Sequence, residues 1–342
     1  MTPRAPTPGR LVEIVDAMAG QPVAMLVDLV ADRFISGTPK RISREAPVLI
    51  LRFESETLAP GGGANAVANV AALGGRPLPL GVVGDDAAGR ELLALFEHRG
   101  IPIHGILQSP GYRTPTKTRI LGGGRTSIKQ QIVRYDVEDV VALTTEQRTR
   151  LLEALADSSA RVAVVSDYGY GTVDPRLLRE LRRLLGPATP ILGDSRYRLG
   201  ELGGLDGATP NAEEAEALLG RLLDADLEGA GRELRDRLAV RFLLITRGSA
   251  GMSLFTAEGS AHLPVHGTDQ VADVTGAGDT VIGTFALALA AGATALEAAC
   301  LADYAGGVVV MKTGTATLSR GELRAAVERD PELLEAIRWG AP

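Results

Sequence analysis

Seven residues, Asp273-Val-Thr-Gly-Ala-Gly-Asp279, run straight into an apolar stretch of helical length. Glycines at Gly276 and Gly278, with Ala277 between them, let the backbone approach a ligand closely. N–H groups at a helix N-terminus point at whatever sits there, and that geometry binds anions. An acid in the same turn would repel a bound phosphate. It makes sense if Asp279 takes a proton from a hydroxyl while the N–H groups of Gly276, Ala277 and Gly278 hold a transferring phosphoryl group. A lone Gly-x-Gly-Asp is explained as well by a helix start with a dipole-favoured acid. The full seven residues, late in an alternating chain, favour the chemical reading.

Three more stretches carry polar groups at the right kind of place. Pro60-Gly-Gly62-Gly63-Ala-Asn65, followed by Asn69, is a glycine-rich turn entering a helix. Thr209-Pro-Asn211-Ala-Glu-Glu214 places an amide and an acid three apart, a spacing that also suits a helix capping box. Thr246-Arg247-Gly248-Ser-Ala-Gly251 follows a late apolar strand, as a nucleotide-binding loop or a plain turn would. No Walker A pattern occurs, which excludes a P-loop kinase reading. Asp28 and Asp32 follow the first buried strand, so they are placed to accept substrate hydroxyls.

The elements that must position these groups follow from the apolar pattern. Strands are expected at Val23 to Asp28, Val162 to Ser166, Pro190 to Asp194 and Phe242 to Thr246. Helices are expected at Gly63 to Leu73, Asp86 to Arg99, Pro175 to Leu185, Ala212 to Leu219, Gly276 to Ala291 and Leu296 to Met311. Such alternation predicts a mostly parallel central sheet with helices on both faces. Two β-rich segments interrupt it, Arg41 to Glu56 and Thr114 to Tyr135, and together they predict a small separate sheet, a lid over the substrate. The expectation is one α/β domain over 1–342 with this lid inserted.

Bulk composition sets limits. The 342 residues are 45% hydrophobic but only 4% aromatic, so the core must be aliphatic. A formal net charge of -6 gives no basic field for nucleic acid or anionic membrane. Cys300 is the only cysteine, and the four histidines are not clustered for zinc. His262 and His266 are expected to be surface imidazoles. The apolar run Val281 to Ala291 is shorter than the roughly 20 residues a membrane span needs. With no apolar leader, a cytoplasmic enzyme without membrane or nucleic-acid partners is expected.

In order and context, the four glycine- and acid-bearing stretches resemble the ribokinase-like (PfkB) carbohydrate kinases. The similarity extends from about Val23 to Leu323. It implies Asp279 as the catalytic base and a sugar site including Gly62, Gly63 and Asn65. It also implies an ATP site including Asn211, Glu214, Thr246, Arg247, Gly248, Gly251 and Asp303. Magnesium would be organised indirectly by Asn211 and Glu214, and a monovalent cation, potassium, would sit near Asp273.

A narrower resemblance is to the kinases of D-glycero-D-manno-heptose 7-phosphate. It rests on Asp28-Leu-Val-Ala-Asp32-Arg33, Arg41-Ile-Ser-Arg-Glu-Ala-Pro47-Val, Ser166-Asp167-Tyr168, Asp279-Thr-Val-Ile-Gly283 and Gly306-Gly-Val-Val-Val-Met-Lys312. It implies phosphorylation of an anomeric hydroxyl, and a homodimer clasped through the lid by Val48, Ile50, Leu51, Ile120, Ile128 and Ile132. The substrate's own phosphate would need cations, for which Lys117, Arg119 and Arg196 are the candidates, with Arg33, Lys129 and Arg134 behind them. The chain departs from the pattern at Val27, Tyr170, Ser195-Arg196 and Asp303, where glycine, lysine, Pro-Lys and asparagine are usual. A kinase of another sugar or of a nucleoside, or a weakly catalytic sugar-binding homologue, would share most of these features.

Overall fold

A computed structural model describes residues 5–124, 129–156, 158–223, 225–267 and 272–340. Its main sheet has ten strands, in spatial order Arg338–Gly340, Gly259–Leu263, Met252–Thr256, Phe242–Thr246, Gly207–Ala208, Ile191–Ser195, Val162–Asp167, Pro22–Val27, Arg76–Gly84 and Ile106–Ser109. The seven from Phe242–Thr246 onward are parallel, and the first three add antiparallel pairs at one edge. Alternation along Pro22–Val27 shows why both faces are covered. Val23, Met25 and Val27 join one apolar cluster with helices Pro8–Ala17, Gly63–Ala72, Ala277–Ala290 and Ala295–Val309. Ala24 and Leu26 join the opposite cluster, with helices Thr145–Ala156, Pro175–Leu185 and Leu227–Leu238. Helix Ala277–Ala290 is apolar on all sides and accordingly buried nearly throughout.

A second sheet of four strands stands beside the C-terminal ends of the parallel strands. Its order is Leu49–Gly62, Leu29–Ile42, Thr116–Gly122 and Gln130–Val137. This revises the expected lid bounds. The first pair of lid strands begins at Leu29, directly after Asp28, and runs back to Gly62 at the mouth of helix Gly63–Ala72. Segment 41–56 is only the distal end of that hairpin, including its turn. Gly37 and Pro39 hid the outgoing strand in the sequence. Both sit beside register shifts, between Ser36 and Gly37 and between Pro39 and Arg41, where such residues are tolerated. Of the expected clasp residues, Ile128 lies outside the described residues. Ile50, Leu51 and Ile120 are half-buried, and the most exposed apolar side chains on the lid are Phe53, Ile42, Val48 and Tyr135.

The histidines also differ from expectation. His262 Nδ1 lies 2.9 Å from Ser253 Oγ and its Nε2 contacts Glu228, while His266 Nδ1 lies 2.7 Å from Asp330 Oδ2. Both pin neighbouring elements together, and neither is a surface group. Among the described residues no helix is long and apolar enough to cross a membrane.

Candidate active site

Asp279 stands in the first turn of helix Ala277–Ala290, 2% exposed. Two side chains hold its carboxylate. Asn65 Nδ2 donates to Oδ2 at 3.2 Å, and the Tyr168 hydroxyl donates to Oδ1 at 2.9 Å. Burial drives the carboxyl up to about 7, although both hydrogen bonds favour its charged form. Burial and then the Asp279 charge keep the Tyr168 phenol protonated well past its ordinary range. Gly276 precedes the helix at φ +79°, and a Cβ there would fall 2.3 Å from Asn65 Nδ2. Glycine is thus required both by the backbone and by the amide that holds Asp279. The N–H of Ala277 donates to Val274 O at 3.2 Å, so Ala277 does not serve as an anion donor here. The first-turn N–H groups that follow have no acceptor within the helix.

Two cavities meet at this turn. One, of 730 Å³, is lined by Asp32, Gly62, Lys117, Arg119, Arg196 and Asp279 among others. The other, of 500 Å³, is lined by Thr246, Gly248, Gly251, Asp303 and mainly apolar side chains. Thr246, Val274 and Gly278 line both. A molecule in each would therefore face the other across Gly278, next to Asp279.

The lid supplies the cations of the first cavity. Pairing sets Asp32 beside Lys117 and Phe34 beside Arg119, so all four share one lid face. Arg119 is ion-paired to Asp32 at 2.6 Å and lies over the Phe34 ring. Burial holds the Lys117 ammonium below its usual range; Asp32 opposes this, and the Arg196 and Arg134 charges add to it. Arg134 has Asp136 as a partner at 3.0 Å. Lys117 stands over the Tyr168 ring and Arg196 over the Tyr197 ring, and neither meets a carboxylate among the described residues. Arg33 is held by Glu56 and Glu91 and Lys129 by Glu54, so these two candidates do not join the cavity.

Asp28 is not a substrate group. It is fully buried, with its carboxylate accepting N–H bonds from Tyr168 and Tyr170 at 2.8 and 2.9 Å and from Thr172 at 2.9 Å. It ties the end of Pro22–Val27 to the loop carrying Tyr168. Gly63 is also internal: its N–H donates to Asp28 O, and a Cβ would strike Val27 at 2.6 Å. Asn65 is fully buried and reaches Asp279 rather than the cavity. Tyr170, in the position where lysine is usual, turns its hydroxyl to Glu138 and lines neither cavity.

Asn211 and Glu214 do form a capping box, with bonds of 2.9 and 3.0 Å, and both line the first cavity. Asp194 faces the same space. Burial, then the charges of Glu214 and Asp279, push its carboxyl well up, and burial likewise raises Glu214. Two carboxyls held above their usual range on one wall suit a divalent cation between them and a phosphate chain. Among the described residues no group of three or more His, Cys, Asp or Glu forms a ready metal cage. Asp273 accepts from Thr275 N at 2.9 Å and Gly314 N at 3.0 Å. Burial pushes its carboxyl up, but these bonds prevail and hold it below the usual range. Arg247 lies beside the second cavity, its guanidinium donating to Ala250 O at 2.8 Å, and does not line it. Sequence reasoning missed Tyr168 as the donor to Asp279 and missed Asp194. Both lie at the C-terminal ends of parallel strands, the place where ligands of such sheets bind.

The model of the pfkB family carbohydrate kinases matches residues 24–320. The chain belongs to this family. It is 37% identical over 330 residues to the bifunctional protein HldE of Mesorhizobium japonicum, covering 95% of this chain and 65% of that protein. It is 42% identical over 341 residues to the bifunctional protein HldE of Halorhodospira halophila, covering 92% and 68%. The chain thus spans about two thirds of the length of these relatives. Among solved structures it is similar to phosphofructokinase-2 from Escherichia coli in complex with substrates and products, with TM-score 0.73, 20% identity and coverage of 90% and 99%. It is likewise similar to Arabidopsis thaliana ribokinase complexed with ribose and ATP, with TM-score 0.70 and 19% identity over 90% of this chain and 99% of that one. These establish the ribokinase-like α/β fold, and the family makes the chain a sugar kinase, a phosphotransferase with an alcohol group as acceptor.

Proposed function

We propose that this sugar kinase transfers the γ-phosphoryl group of ATP to the anomeric hydroxyl of a sugar phosphate, with D-glycero-D-manno-heptose 7-phosphate or a close stereoisomer as substrate. The observation that carries this reading is the polarity of the first cavity. It has a proton acceptor, Asp279, at one end and on its walls two cations, Lys117 and Arg196, without a carboxylate partner among the described residues. The ATP phosphates account for one cation beside Asn211 and Glu214, and a phosphate on the sugar gives the second a counter-charge that an uncharged sugar lacks. The likeness to bifunctional proteins HldE supports the heptose choice.

In this reading Asp279 accepts the hydroxyl proton as the oxygen attacks, with Asn65 and Tyr168 orienting the carboxylate. First-turn N–H groups around Gly278 stabilise charge on the phosphoryl oxygens. Asp32 orients Arg119 and accepts from the sugar. Thr246, Gly248 and Gly251 border the nucleotide. Magnesium, organised through Asn211, Glu214 and Asp194, would neutralise phosphate charge; a potassium ion near Asp273 would add to this.

The lid would also form a homodimer interface. Phe53 is 64% exposed, Ile42 59%, Val48 55% and Tyr135 52%, a set of large apolar side chains on a thin sheet that a second copy would cover. The test of substrate is an ADP-release assay over phosphorylated and unphosphorylated hexoses and heptoses. Turnover restricted to heptose phosphates is expected. Faster turnover with an unphosphorylated sugar overturns the substrate reading.

A further inference from the structure

The second cavity holds one feature that phosphoryl transfer does not use. Asp303, on helix Ala295–Val309, is 2% exposed and lines the cavity. Its Oδ2 is buried without a hydrogen-bond partner. The walls around it are Met252, Val265, Val281 and Val310, with Gly306 and Gly307 alongside. It is the only ionisable side chain lining this cavity among the described residues. An apolar slot of 500 Å³ with one such group has the form of a site for a flat heterocycle that carries a few polar atoms.

The groups facing Asp303 explain the state of its carboxyl. Cys300 and Tyr304 share its helix, and Cys300 is buried and neutral. Tyr304 turns its hydroxyl away, to Asp330 O at 2.6 Å. Asp330 lies across from it, paired to His266 at 2.7 Å. Burial, then the Asp330 charge, holds the Asp303 carboxyl well above the usual range. No cation is paired to it among the described residues. A carboxyl in such a place is biased toward its neutral form, which has one donor and one acceptor.

We infer that Asp303 reads the nucleobase as a carboxylic acid, its O–H donated to a ring nitrogen and its C=O accepting from the neighbouring exocyclic amine. Adenine presents this pair as N7 and the N6 amine. Guanine presents two acceptors on the same edge, one of which would oppose the Asp303 carbonyl. An ionised Asp303 would reverse the choice, because it offers only acceptors, which suits two adjacent donors. The inference rests on reading this cavity as the nucleotide side.

Equilibrium binding of ADP and GDP to the full chain, without sugar, tests it. The readout is the ADP-to-GDP affinity ratio, in which phosphate ionisation cancels. Wild type should favour ADP by about 10-fold or more near neutral pH, with the ratio falling as pH rises and Asp303 ionises. Asp303→Asn keeps one donor and one acceptor, so its ratio should persist and stay flat with pH. Asp303→Leu should bring the ratio close to unity. A wild-type ratio near or below unity at neutral pH, or a ratio retained in Asp303→Leu, overturns the proposal. Failure of wild type to bind either diphosphate would remove the nucleotide reading itself and the inference with it.

Discussion

Tyr168→Phe isolates the hydrogen bond that tunes Asp279. The phenol donates to Asp279 Oδ1 at 2.9 Å, and Asn65 is the other side-chain donor to that carboxylate. A hydrogen bond to a charged group contributes about 1.5–3 kcal/mol, and one pH unit corresponds to about 1.4 kcal/mol. Its loss leaves the Asn65 hydrogen bond and the Lys117 charge to stabilise the anion, so the Asp279 carboxyl, now at about 7, rises further. A general base works only when ionised, so activity lies above its pKa and is lost as pH falls through it. The acid limb of kcat/KM should therefore move up by roughly one to two pH units. At neutral pH the variant should be slower by about 5- to 50-fold, and it should recover at high pH. Asp279→Asn should instead be slower by at least ~10² at every pH. The assay is ADP release across pH with saturating nucleotide and varied sugar. An acid limb that stays where wild type has it would refute the argument that Tyr168 tunes this carboxylate. Near-normal turnover of Asp279→Asn would remove Asp279 as the base.

Arg196→Met and Lys117→Met should each raise KM for a phosphorylated sugar by about 10-fold or more. Their kcat should change little, and an equal loss with unphosphorylated sugars would show that neither touches the substrate phosphate. Asp28→Ala leaves three N–H groups without their carboxylate, at a cost on the order of 4 kcal/mol. Its melting temperature should fall by roughly 5 °C; an unchanged melting temperature with a raised sugar KM would restore Asp28 to the substrate site. Phe53→Asp should convert the proposed dimer to monomer in light scattering, since burial of each Phe contributes about 1.5–3 kcal/mol and symmetry counts it twice. A monomeric wild type at micromolar concentration would end the clasp reading.

The parts of the site legible in the sequence are those whose geometry is local. A glycine-lined helix start fixes Gly276, Gly278 and Asp279 within a few residues, and the Asn211–Glu214 box is set by helical spacing. The parallel strands were legible because a strand buried on both faces is an unbroken apolar run. Tyr168 was not legible as the Asp279 donor, because that bond joins residues 111 apart in the chain and depends on how a strand end and a helix start are set side by side. The role of Asp28 was hidden for a related reason. An acid after a buried strand fits substrate binding and loop anchoring equally, and only the three backbone N–H groups folded around it separate the two. The lid's true start was masked by Gly37 and Pro39, whose low strand propensity is offset at the bulges they occupy.

The way the lid is joined to the sheet bears on how the site would close in the proposed reading. Its first strand begins one residue after Asp28, and its second returns at Gly62, one residue before the helix that carries Asn65. Asp28 is bonded to the loop of Tyr168, and Asn65 and Tyr168 are the two side chains that hold Asp279. The first two lid strands therefore leave the domain through the same few residues that orient the base, whereas the strand carrying Lys117 and Arg119 joins it after Thr114. A tilt of the lid that brought Lys117 and Arg119 toward a bound phosphate would pivot about Thr114, which Asp86 holds, and about Asp28 and Gly62. The last two pivots are fixed by main-chain bonds, Asp28 N to Ser166 O at 3.0 Å and Gly63 N to Asp28 O at 3.1 Å. Closure about them can move the cations while leaving the Asn65–Asp279–Tyr168 cluster in place. A base held ready before the sugar is enclosed needs no rearrangement at the moment of transfer, which is what electrostatic preorganisation requires.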